Sequence, residues 1–510
     1  MPFPSLRLLV RKPFAHAVLV ALLVFPAVPG QAQLPTLGDG SDMASGAERR
    51  LGDRIARELY RDPDYLDDPV LVEYVQSIWQ PLRDSARARG ELTPELQERF
   101  AWEILLNNER TVNAFALPGG YMGVNLGLIG VVNSRDELAS VLAHEMSHVT
   151  QRHISRLMTQ QSRQTPWLIG AMILGALAAS KSPDAANALV VGGQAVAAQN
   201  QLNFSRDMER EADRVGYGVM TQAGYSGQGF VTMFEKLQQA SRINDNGTFP
   251  YLRSHPLTTQ RIADMQSRHQ LESATAAPLP MMMEPAMVAA RARALSRPGI
   301  DLLRQWVAEP DSAAFKTMGP PQQAASLYAA TRAALQQRDF ERARSLALRL
   351  TDVARKDPAG ARQALLLSAE VELAAGNPQR VLTLLANAAP KRPELVLKSQ
   401  AHLQMGQGAD AVDALQTWLA THPRDALVWQ LQATAYQQGK QPLRALRAEA
   451  ESRVAQLDYS AAMDRFRAAQ DVVRQSGAAG DNVEASIIDT RAREVQALLR
   501  EQMLDAKNSP

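Results

Sequence analysis

Hydrophobic residues recur at different periods along this 510-residue chain, and each period predicts a different kind of element. From about 47 to 99 the pattern is helical and strongly charged. Every second residue is apolar in most of FAWEILLNN, residues 100–108, which predicts a strand. Two apolar runs then flank a Pro-Gly-Gly turn within residues 111–125, which predicts a hairpin or a strand–turn–strand unit. The pattern therefore predicts a small sheet among helices in the first half of the chain.

The period changes to 3.6 in residues 134–158, SRDELASVLAHEMSHVTQRHISRLM, and this predicts one helix. Ser134 is a favourable N-cap, and Glu137 follows three residues later as in a capping box. A second strong helix is predicted over 205–225, SRDMEREADRVGYGVMTQAGY. Between them lies the apolar run 167–179, which is too short to span a bilayer. This run is interpreted either as a buried core helix or as a lid or membrane-contacting segment.

Strand signals vanish beyond an Ala/Pro/Met-rich stretch at 270–300, and helical patterns continue from there. Residues 288–475 contain helical pairs with a weak repeat, and these residues take corresponding turn positions: Gln337, Gly376, Gly406 and Gly439. The glycine spacings of 30 and 33 residues resemble the tetratricopeptide repeat, whose period is about 34. We expect a small residue at the turn because two helices cross closely there. A generic helical bundle is the alternative.

Composition and charge change the picture mainly at the N-terminus. The net charge is +2, and Arg7, Arg11 and Lys12 are the only charges before residue 33. The basic start, the apolar run and the small residues that follow predict a signal peptide over 1–32, cleaved after Ala32; an uncleaved anchor is the alternative. Loss of these three charges leaves a mature chain near −1, so no nucleic-acid partner is expected. The chain has no cysteine, which excludes disulfides and thiolate ligands.

The most specific chemical signal is VLAHEMSHV, residues 141–149. On a helix His144 and His148 project from one face, so both imidazoles can ligate one ion. Glu145 would lie over the open side of the metal, where it could take a proton from the attacking water. The flanking residues are apolar, and buried polar groups need partners, which favours a metal over surface histidines on an ordinary helix.

A catalytic zinc needs three protein ligands, so a third must come from a segment that returns to this helix. The stretch SRDMEREADRVG offers Glu209 and Asp213, which are four residues apart and share a helix face, whereas Glu211 points elsewhere. One carboxylate would complete a neutral shell around Zn²⁺, and the other would accept a hydrogen bond from a ligating histidine. The spacing does not decide which carboxylate does which.

HEMSH, the later EREAD and the upstream VNAFALPGGYMGVN together resemble a family of zinc metallopeptidases with an HExxH…ExxxD signature. The resemblance implies an α+β zincin-like metallopeptidase domain with a small sheet, followed by an all-α tetratricopeptide-like domain. It also implies one Zn²⁺ per chain, bound by His144, His148 and Glu209, with Glu145 as the general base. The family's aspartate, here Asp213, is a proton donor or a partner of a ligand. We favour the partner role because an ionised carboxylate is a poor acid.

The signal peptide and the C-terminal repeats are similar to the periplasmic members of this family in Gram-negative bacteria. This similarity implies a periplasmic endopeptidase that degrades misfolded or stalled outer-membrane proteins and assists their assembly, with the repeats contacting the assembly machinery. A mostly latent chaperone or scaffold, in which the repeats dominate function, is the main alternative. Peripheral contact with the membrane and hydrolysis of a non-peptide substrate are further alternatives.

Two more histidines and one strand need an interpretation. His255, in SHPLTTQRI, could stabilise the oxyanion, occupy the fourth zinc position and keep the enzyme latent, or be a loop residue with a structural role. His153 falls off the ligand face of its helix and is interpreted as structural. Residues 111–124 are interpreted as containing an edge strand that pairs with an extended substrate.

Together these patterns divide the chain into five predicted parts. The metallopeptidase domain is expected over 33–275 and the helical repeats over 288–475, joined by a linker at 276–287. The signal peptide precedes them, and a helical tail is expected over 476–510.

Overall fold

The computed structural model describes five stretches of the chain: 44–160, 205–242, 250–272, 281–476 and 481–507. The predicted signal peptide with its cleavage point and the apolar run 167–179 lie outside these stretches. The described residues belong to one compact unit, 43–510. Among them, no helix combines the length and the apolar character needed to cross a bilayer.

The first half combines helices with four short strands, as the hydrophobic pattern predicts. Its strands are β1 (Tyr65–Leu66), β2 (Glu103–Asn107), β3 (Ala114–Leu117) and β4 (Tyr121–Asn125). Its helices are α1 (Ser45–Arg61), α2 (Pro69–Ala88), α3 (Pro94–Arg99), α4 (Leu126–Val131), α5 (Arg135–Thr150), α6 (His153–Gln160), α7 (Arg206–Gln222), α8 (Gln228–Arg242), α9 (Tyr251–Ser254) and α10 (Thr259–Glu272).

The four strands form one sheet in the order β1-β2-β4-β3. β2 and β4 are parallel, whereas β1 and β3 pair antiparallel with their neighbours. The predicted strand–turn–strand unit is confirmed: β3 and β4 are joined by a 3₁₀ turn at Pro118–Gly120. Gly119 has a φ of 71°, and a Cβ there would lie 2.8 Å from the Cα of Arg49. Among the described strands β3 is an edge strand, and it lies against α5.

α5 lies in the core and is buried continuously from Glu137 to Thr150. Its N-terminus follows the predicted cap, because Ser134 Oγ accepts a hydrogen bond from the N–H of Glu137. The prediction of one helix over 134–158 is wrong at residues 151–152, where the helix is interrupted. The chain leaves α5 after Thr150, Arg152 adopts a left-handed φ of 55°, and α6 starts in a new direction. The 3.6 period continues across this break, so the pattern gave no sign of it.

The second half is entirely helical among its described residues. Its helices are α11 (Met283–Leu295), α12 (Ile300–Ala308), α13 (Pro320–Gln336), α14 (Phe340–Ala354), α15 (Pro358–Ala374), α16 (Pro378–Leu384), α17 (Arg392–Gln404), α18 (Ala409–Thr421), α19 (Ala426–Gln438), α20 (Pro442–Ala455), α21 (Tyr459–Ser476) and α22 (Asn482–Lys507). Sequence-adjacent helices from α13 onwards pack against each other, as in tetratricopeptide repeats.

The turn residues of the repeats have a different role from the predicted one. A Cβ on Gly376 or Gly406 would meet nothing within 4 Å, so close helix crossing does not require glycine there. Both glycines have a left-handed φ, of 77° and 72°, that ends the preceding helix. Arg338 and Lys440 take the same conformation in the neighbouring repeats. The equivalent positions are therefore one residue beyond Gln337 and Gly439.

Three arginines of the repeat region join it to the start of α2 and the residues before it. Each of them binds one carboxylate from the first half and another from the repeats: Arg291 with Asp68 and Glu370, Arg362 with Glu73 and Glu394, and Arg392 with Asp67 and Asp425. α11 also packs against both α4 and α13. The repeats are thus fixed to the helical layer that supports α5.

Candidate metal centre

Three segments bring four potential ligand atoms to one point in the core. α5 carries His144 and His148 one turn apart, α7 carries Glu209, and the turn between α9 and α10 carries His255. All four residues are buried, and their ligand atoms lie within 4.8 Å of one another. The structure therefore brings the predicted histidine pair together with Glu209 and adds His255 to the same group.

The distances between these atoms match the edges of one coordination polyhedron. His144 Nε2 lies 3.0 Å from His148 Nε2 and 3.3 Å from His255 Nδ1. Glu209 Oε1 lies 3.0 Å from His255 Nδ1 and 3.5 Å from His148 Nε2. Ligands about 2.0–2.1 Å from a tetrahedral ion are separated by about 3.3 Å from each other. Four of the six separations are close to this value, which suits one Zn²⁺ held between the four atoms.

The charges around this group also fit a divalent cation. Asp213 Oδ1 lies 2.9 Å from His144 Nδ1, and both Asp213 oxygens accept hydrogen bonds from Arg261 at 2.6 and 2.8 Å. Arg261 Nη1 also lies 2.8 Å from Glu209 Oε2. Together with Glu145, three buried carboxylates face one buried guanidinium, which leaves a formal charge of −2 when the histidines are neutral. A divalent ion neutralises this buried charge.

The same contacts shift the pKa values of the ligands. Burial lowers the pKa of His144, but hydrogen bonds to Asp213 and Glu209 outweigh burial and raise it to about 9. Burial opposes ionisation of Glu209, yet the positive charge available on His255 and His144 holds its pKa well below the ordinary value. Burial and the neighbouring His144 both lower the pKa of His148. A metal ion must displace the His144 proton, so metal affinity rises with pH.

Glu145 lies beside the four ligand atoms and is fully buried. Its Oε2 accepts a hydrogen bond from the N–H of Ala116 on β3 at 3.0 Å, and its Oε1 lies 3.4 Å from His255 Nε2. Burial raises the pKa of this carboxyl. The His255 ring therefore faces the ligand group with Nδ1 and Glu145 with Nε2. The ring of Tyr251 stacks on it, with centroids 4.6 Å apart.

The close approach of α5 and α7 depends on Gly216. A Cβ on this residue would lie 3.0 Å from the backbone N of His144 and 3.1 Å from the carbonyl C of Ala143. These are backbone atoms of the helix that carries both histidines, and they cannot rotate away. Glycine at this position lets α7 present Glu209 and Asp213 at hydrogen-bonding distance from α5.

Sequence reasoning did not find two features of this site. The first is Arg261, whose guanidinium bridges Glu209 and Asp213. His153 was interpreted as structural; it lies outside the ligand group, and its Nδ1 is 2.9 Å from His148 Nδ1. Neither partner could be inferred, because the break before α6 and the return of the loop after α9 are tertiary features.

Comparison with known proteins agrees with this geometry. Residues 73–269 match the model of peptidase family M48, and residues 372–435 match a tetratricopeptide repeat model. The chain is 30% identical over 431 residues to the beta-barrel assembly-enhancing protease of Yersinia pestis, covering 83% of this chain and 84% of that protein. It is 29% identical over 453 residues to the protein of the same name from Escherichia coli (strain K12), covering 86% and 87%.

A further similarity covers about half of the chain. The mitochondrial metalloendopeptidase OMA1 of Arabidopsis thaliana is 32% identical over 246 residues, which cover 47% of this chain and 45% of that protein. Family M48 is zinc-dependent, so the match identifies the cation that the four-atom group would hold. The predicted fold class, enzyme class and metal are thereby confirmed. The chain is a zinc metalloendopeptidase with tetratricopeptide-like repeats, and it belongs to peptidase family M48, in the group of the beta-barrel assembly-enhancing proteases.

Proposed function

We propose that His144, His148 and Glu209 hold the catalytic Zn²⁺, that Glu145 is the general base, and that Asp213 orients His144. The observation that carries this proposal is the buried set of donor atoms at tetrahedral distances, with Glu145 directly beside it. The formal charge of −2 on the buried carboxylates and Arg261, which a divalent ion would neutralise, supports the proposal independently. The domain boundaries inferred from composition remain part of the proposal.

Bound Zn²⁺ supplies Lewis-acid chemistry, polarising the scissile carbonyl and making water a better nucleophile. Glu145 takes the proton of the attacking water and returns it to the leaving amine, a role that suits a carboxyl whose pKa is raised by burial. Asp213 Oδ1 lies 2.9 Å from His144 Nδ1, where it would accept the Nδ1–H of a zinc-binding His144. Burial opposes ionisation of Asp213, but Arg261 holds the pKa of this carboxyl below its ordinary value. An ionised Asp213 is a poor proton donor, so we assign it the orienting role.

β3 provides a route for the substrate. Among the described strands it has a neighbour on one side only, and its Ala116 N–H lies next to Glu145. An extended segment that pairs with this edge would place its backbone beside the metal centre, largely independently of its side chains. We therefore propose that unfolded segments are cleaved with broad specificity.

We further propose that the enzyme acts in the periplasm on misfolded or stalled outer-membrane proteins and assists their assembly. The names of the relatives from Yersinia pestis and Escherichia coli support a role in β-barrel assembly. Tetratricopeptide repeats present concave helical surfaces that suit protein partners, and the repeats here would contact the assembly machinery. The three-arginine junction would keep such a partner in a fixed direction from the catalytic centre.

His255 favours a second candidate function, a mostly latent protease that works chiefly as a scaffold. Its Nδ1 takes the fourth corner of the tetrahedron, and its Nε2 lies against Glu145. A catalytic zinc needs one open position, so His255 as fourth ligand excludes water and restrains the base at once. We propose that His255 is this fourth ligand rather than an oxyanion donor, and that substrate or partner binding withdraws it.

Glu145→Gln tests the proposal and separates the two functions. We expect the variant to keep its zinc, because Glu145 is not a ligand, and to lose cleavage of an unfolded outer-membrane protein. Continued cleavage would exclude Glu145 as the base. In cells, loss of degradation together with loss of barrel maturation favours the protease, whereas normal maturation favours the scaffold.

His255→Ala tests the restraint. Three protein ligands remain, so we expect retained zinc and faster cleavage than wild type. Unchanged cleavage and unchanged zinc content would show that His255 has only a structural role. His269→Gln is the matched control, because His269 is also buried but lies outside the ligand group.

A further inference from the structure

A hydrogen-bonded chain leads away from the metal centre through His148. The Nε2 of this residue faces the ligand group, and its Nδ1 lies 2.9 Å from Nδ1 of His153. The other ring nitrogen of His153, Nε2, lies 3.0 Å from Glu211 Oε2. Glu211 Oε2 also accepts a hydrogen bond from Arg156 Nη1 at 3.0 Å. His148 is thereby linked to a carboxylate through a second imidazole.

The break between α5 and α6 creates this arrangement. The left-handed φ of Arg152 turns the chain immediately after α5, so that His153 comes back beside His148. In a continuous helix, residues five apart lie on different faces and their side chains do not meet. His153 is fully buried, and its ring centroid lies 4.9 Å from that of His148.

Metal binding fixes the direction of the hydrogen bonds along the chain. A histidine that binds an ion through Nε2 carries its proton on Nδ1 and must donate it. His153 Nδ1 is then the acceptor, so neutral His153 carries its proton on Nε2 and donates it to Glu211. His148 Nδ1 and His153 Nε2 are thus donors, His153 Nδ1 is an acceptor, and the Glu211 carboxylate accepts at the end of the chain. The tautomer of every ring follows from the ligand at the start.

The other ligating histidine is supported in a shorter way. His144 Nδ1 lies 2.9 Å directly from Asp213, without an intervening residue. Asp213 and Glu211 both belong to α7, two residues apart, and alternate residues on a helix project to different sides. Asp213 therefore lies beside His144, whereas Glu211 is linked to His148 through His153. The same helix also provides Glu209. α7 therefore contributes to the ligand group and to the support of both histidines.

We propose that His153 and Glu211 are positioning residues of the metal centre, which fix the tautomer and ring orientation of His148 for metal binding. The inference rests on the proposed ligand role of His148. His153 contacts a ligand and not the ion, and Glu211 acts through His153. Because partners of this kind raise the affinity of a site for its metal, their loss weakens zinc binding even when the fold is intact.

The test is zinc affinity, measured by competition with a chromophoric chelator after preparing the full-length protein free of metal. We expect His153→Phe to lower the affinity by about 10–100-fold. His153→Gln restores most of the loss, because its amide oxygen can accept from His148 and its NH₂ can donate to Glu211. Glu211→Ala lowers the affinity to a smaller extent, since Glu211 is partly exposed. His269→Gln leaves it unchanged.

Thermal unfolding of the zinc-free variants separates positioning from structure. If His153 only fills space, His153→Phe changes the unfolding temperature of the zinc-free protein and leaves zinc affinity within twofold of wild type. This outcome overturns the inference. Wild-type zinc affinity in both Glu211→Ala and His153→Phe, each of them folded, also overturns it. If His153→Phe does not fold, the affinity of Glu211→Ala decides alone.

His148→Ala distinguishes this failure from that of the proposed metal centre. We expect it to lose tight zinc binding. Unchanged zinc binding in His148→Ala would overturn the ligand assignment and this inference together. Loss of binding in His148→Ala with unchanged binding in the His153 and Glu211 variants would overturn the positioning role alone.

Discussion

Replacement of Arg291 by leucine should destabilise the junction between the catalytic half and the repeats. Arg291 is buried, and it donates to both oxygens of Asp68 at 2.7 and 2.6 Å and to Tyr328 Oη at 2.9 Å. Its Nη2 also lies 2.8 Å from Glu370. Leucine removes the guanidinium that hydrogen-bonds both oxygens of Asp68, whereas Glu370 keeps its ion pair with Arg332.

The expected loss of stability in Arg291→Leu follows from the unpaired carboxylate of Asp68. Asp68 is itself buried, and removing one partner of a buried ion pair costs about 3–5 kcal/mol. In Asp68→Asn the charge disappears, while the side-chain oxygen can still cap α2 at the N–H of Leu71. The double variant Arg291→Leu/Asp68→Asn should therefore lose less stability than Arg291→Leu alone.

Urea unfolding of the zinc-loaded protein, followed by circular dichroism and by tryptophan fluorescence, measures both variants. The free energies are compared where the two probes give one transition. A loss below about 1 kcal/mol for Arg291→Leu, or a double variant less stable than the single one, would refute the assignment of a buried charge pair to this junction. Arg297→Leu is a suitable control, because Arg297 pairs with Asp64 and its side chain is 63% exposed.

Three further predictions concern packing, pH and metal. Gly216→Ala gains about 1 kcal/mol in helix propensity, but its Cβ meets backbone atoms of α5, so zinc affinity should fall. Gly218→Ala is the control, because the atoms nearest its Cβ belong to the side chain of Arg89. Equal zinc affinities of the two variants would contradict the packing argument. Burial opposes ionisation of Asp68, yet Arg291 holds its pKa below 3.8, so this carboxylate stabilises the fold above its unfolded pKa and loses that contribution as pH falls through the folded value. Asp68→Asn should therefore show a shallower loss of stability below pH 4 in acid titrations followed by circular dichroism, and an unchanged slope would argue against the pair. Removal of zinc by a chelator should lower the unfolding temperature, and added zinc should restore it. The reason is that zinc at 1,000 times its Kd stabilises the fold by about 4 kcal/mol. A calorimetric unfolding transition that does not respond to zinc would contradict a buried zinc site.

Local patterns predicted the elements that carry the site. The alternation in residues 100–108 and the Pro-Gly-Gly turn predicted β2, β3 and β4 because strand periodicity and turn chemistry act over a few residues. Ser134 predicted the start of α5 for the same reason. The spacing of four between His144 and His148 predicted a shared face, which depends only on helix geometry. These features need no information from distant parts of the chain.

Other features depend on how distant segments return to α5. His255 lies 111 residues from His144 and 46 from Glu209, and no periodicity relates them. The loop after α9 brings His255 Nδ1 beside the other three donor atoms, and this placement is why we propose the fourth-ligand role among the three that the sequence left open. Arg261 acquires its importance only when α7 and α10 bring its guanidinium between two buried carboxylates.

The sequence by itself determined the helix and strand types, the histidine pair, the candidate carboxylates on α7 and the repeat character of the second half. These follow from side-chain periodicity, capping and spacing, which act within one element. The tertiary structure decided that α5 ends before His153, that His255 lies beside the other potential ligands, and that Arg261 pairs with two of the buried acids. Charge compensation and hydrogen-bond pairing in a buried site are set by contacts between elements, because burial makes each polar group depend on partners that come from elsewhere in the chain.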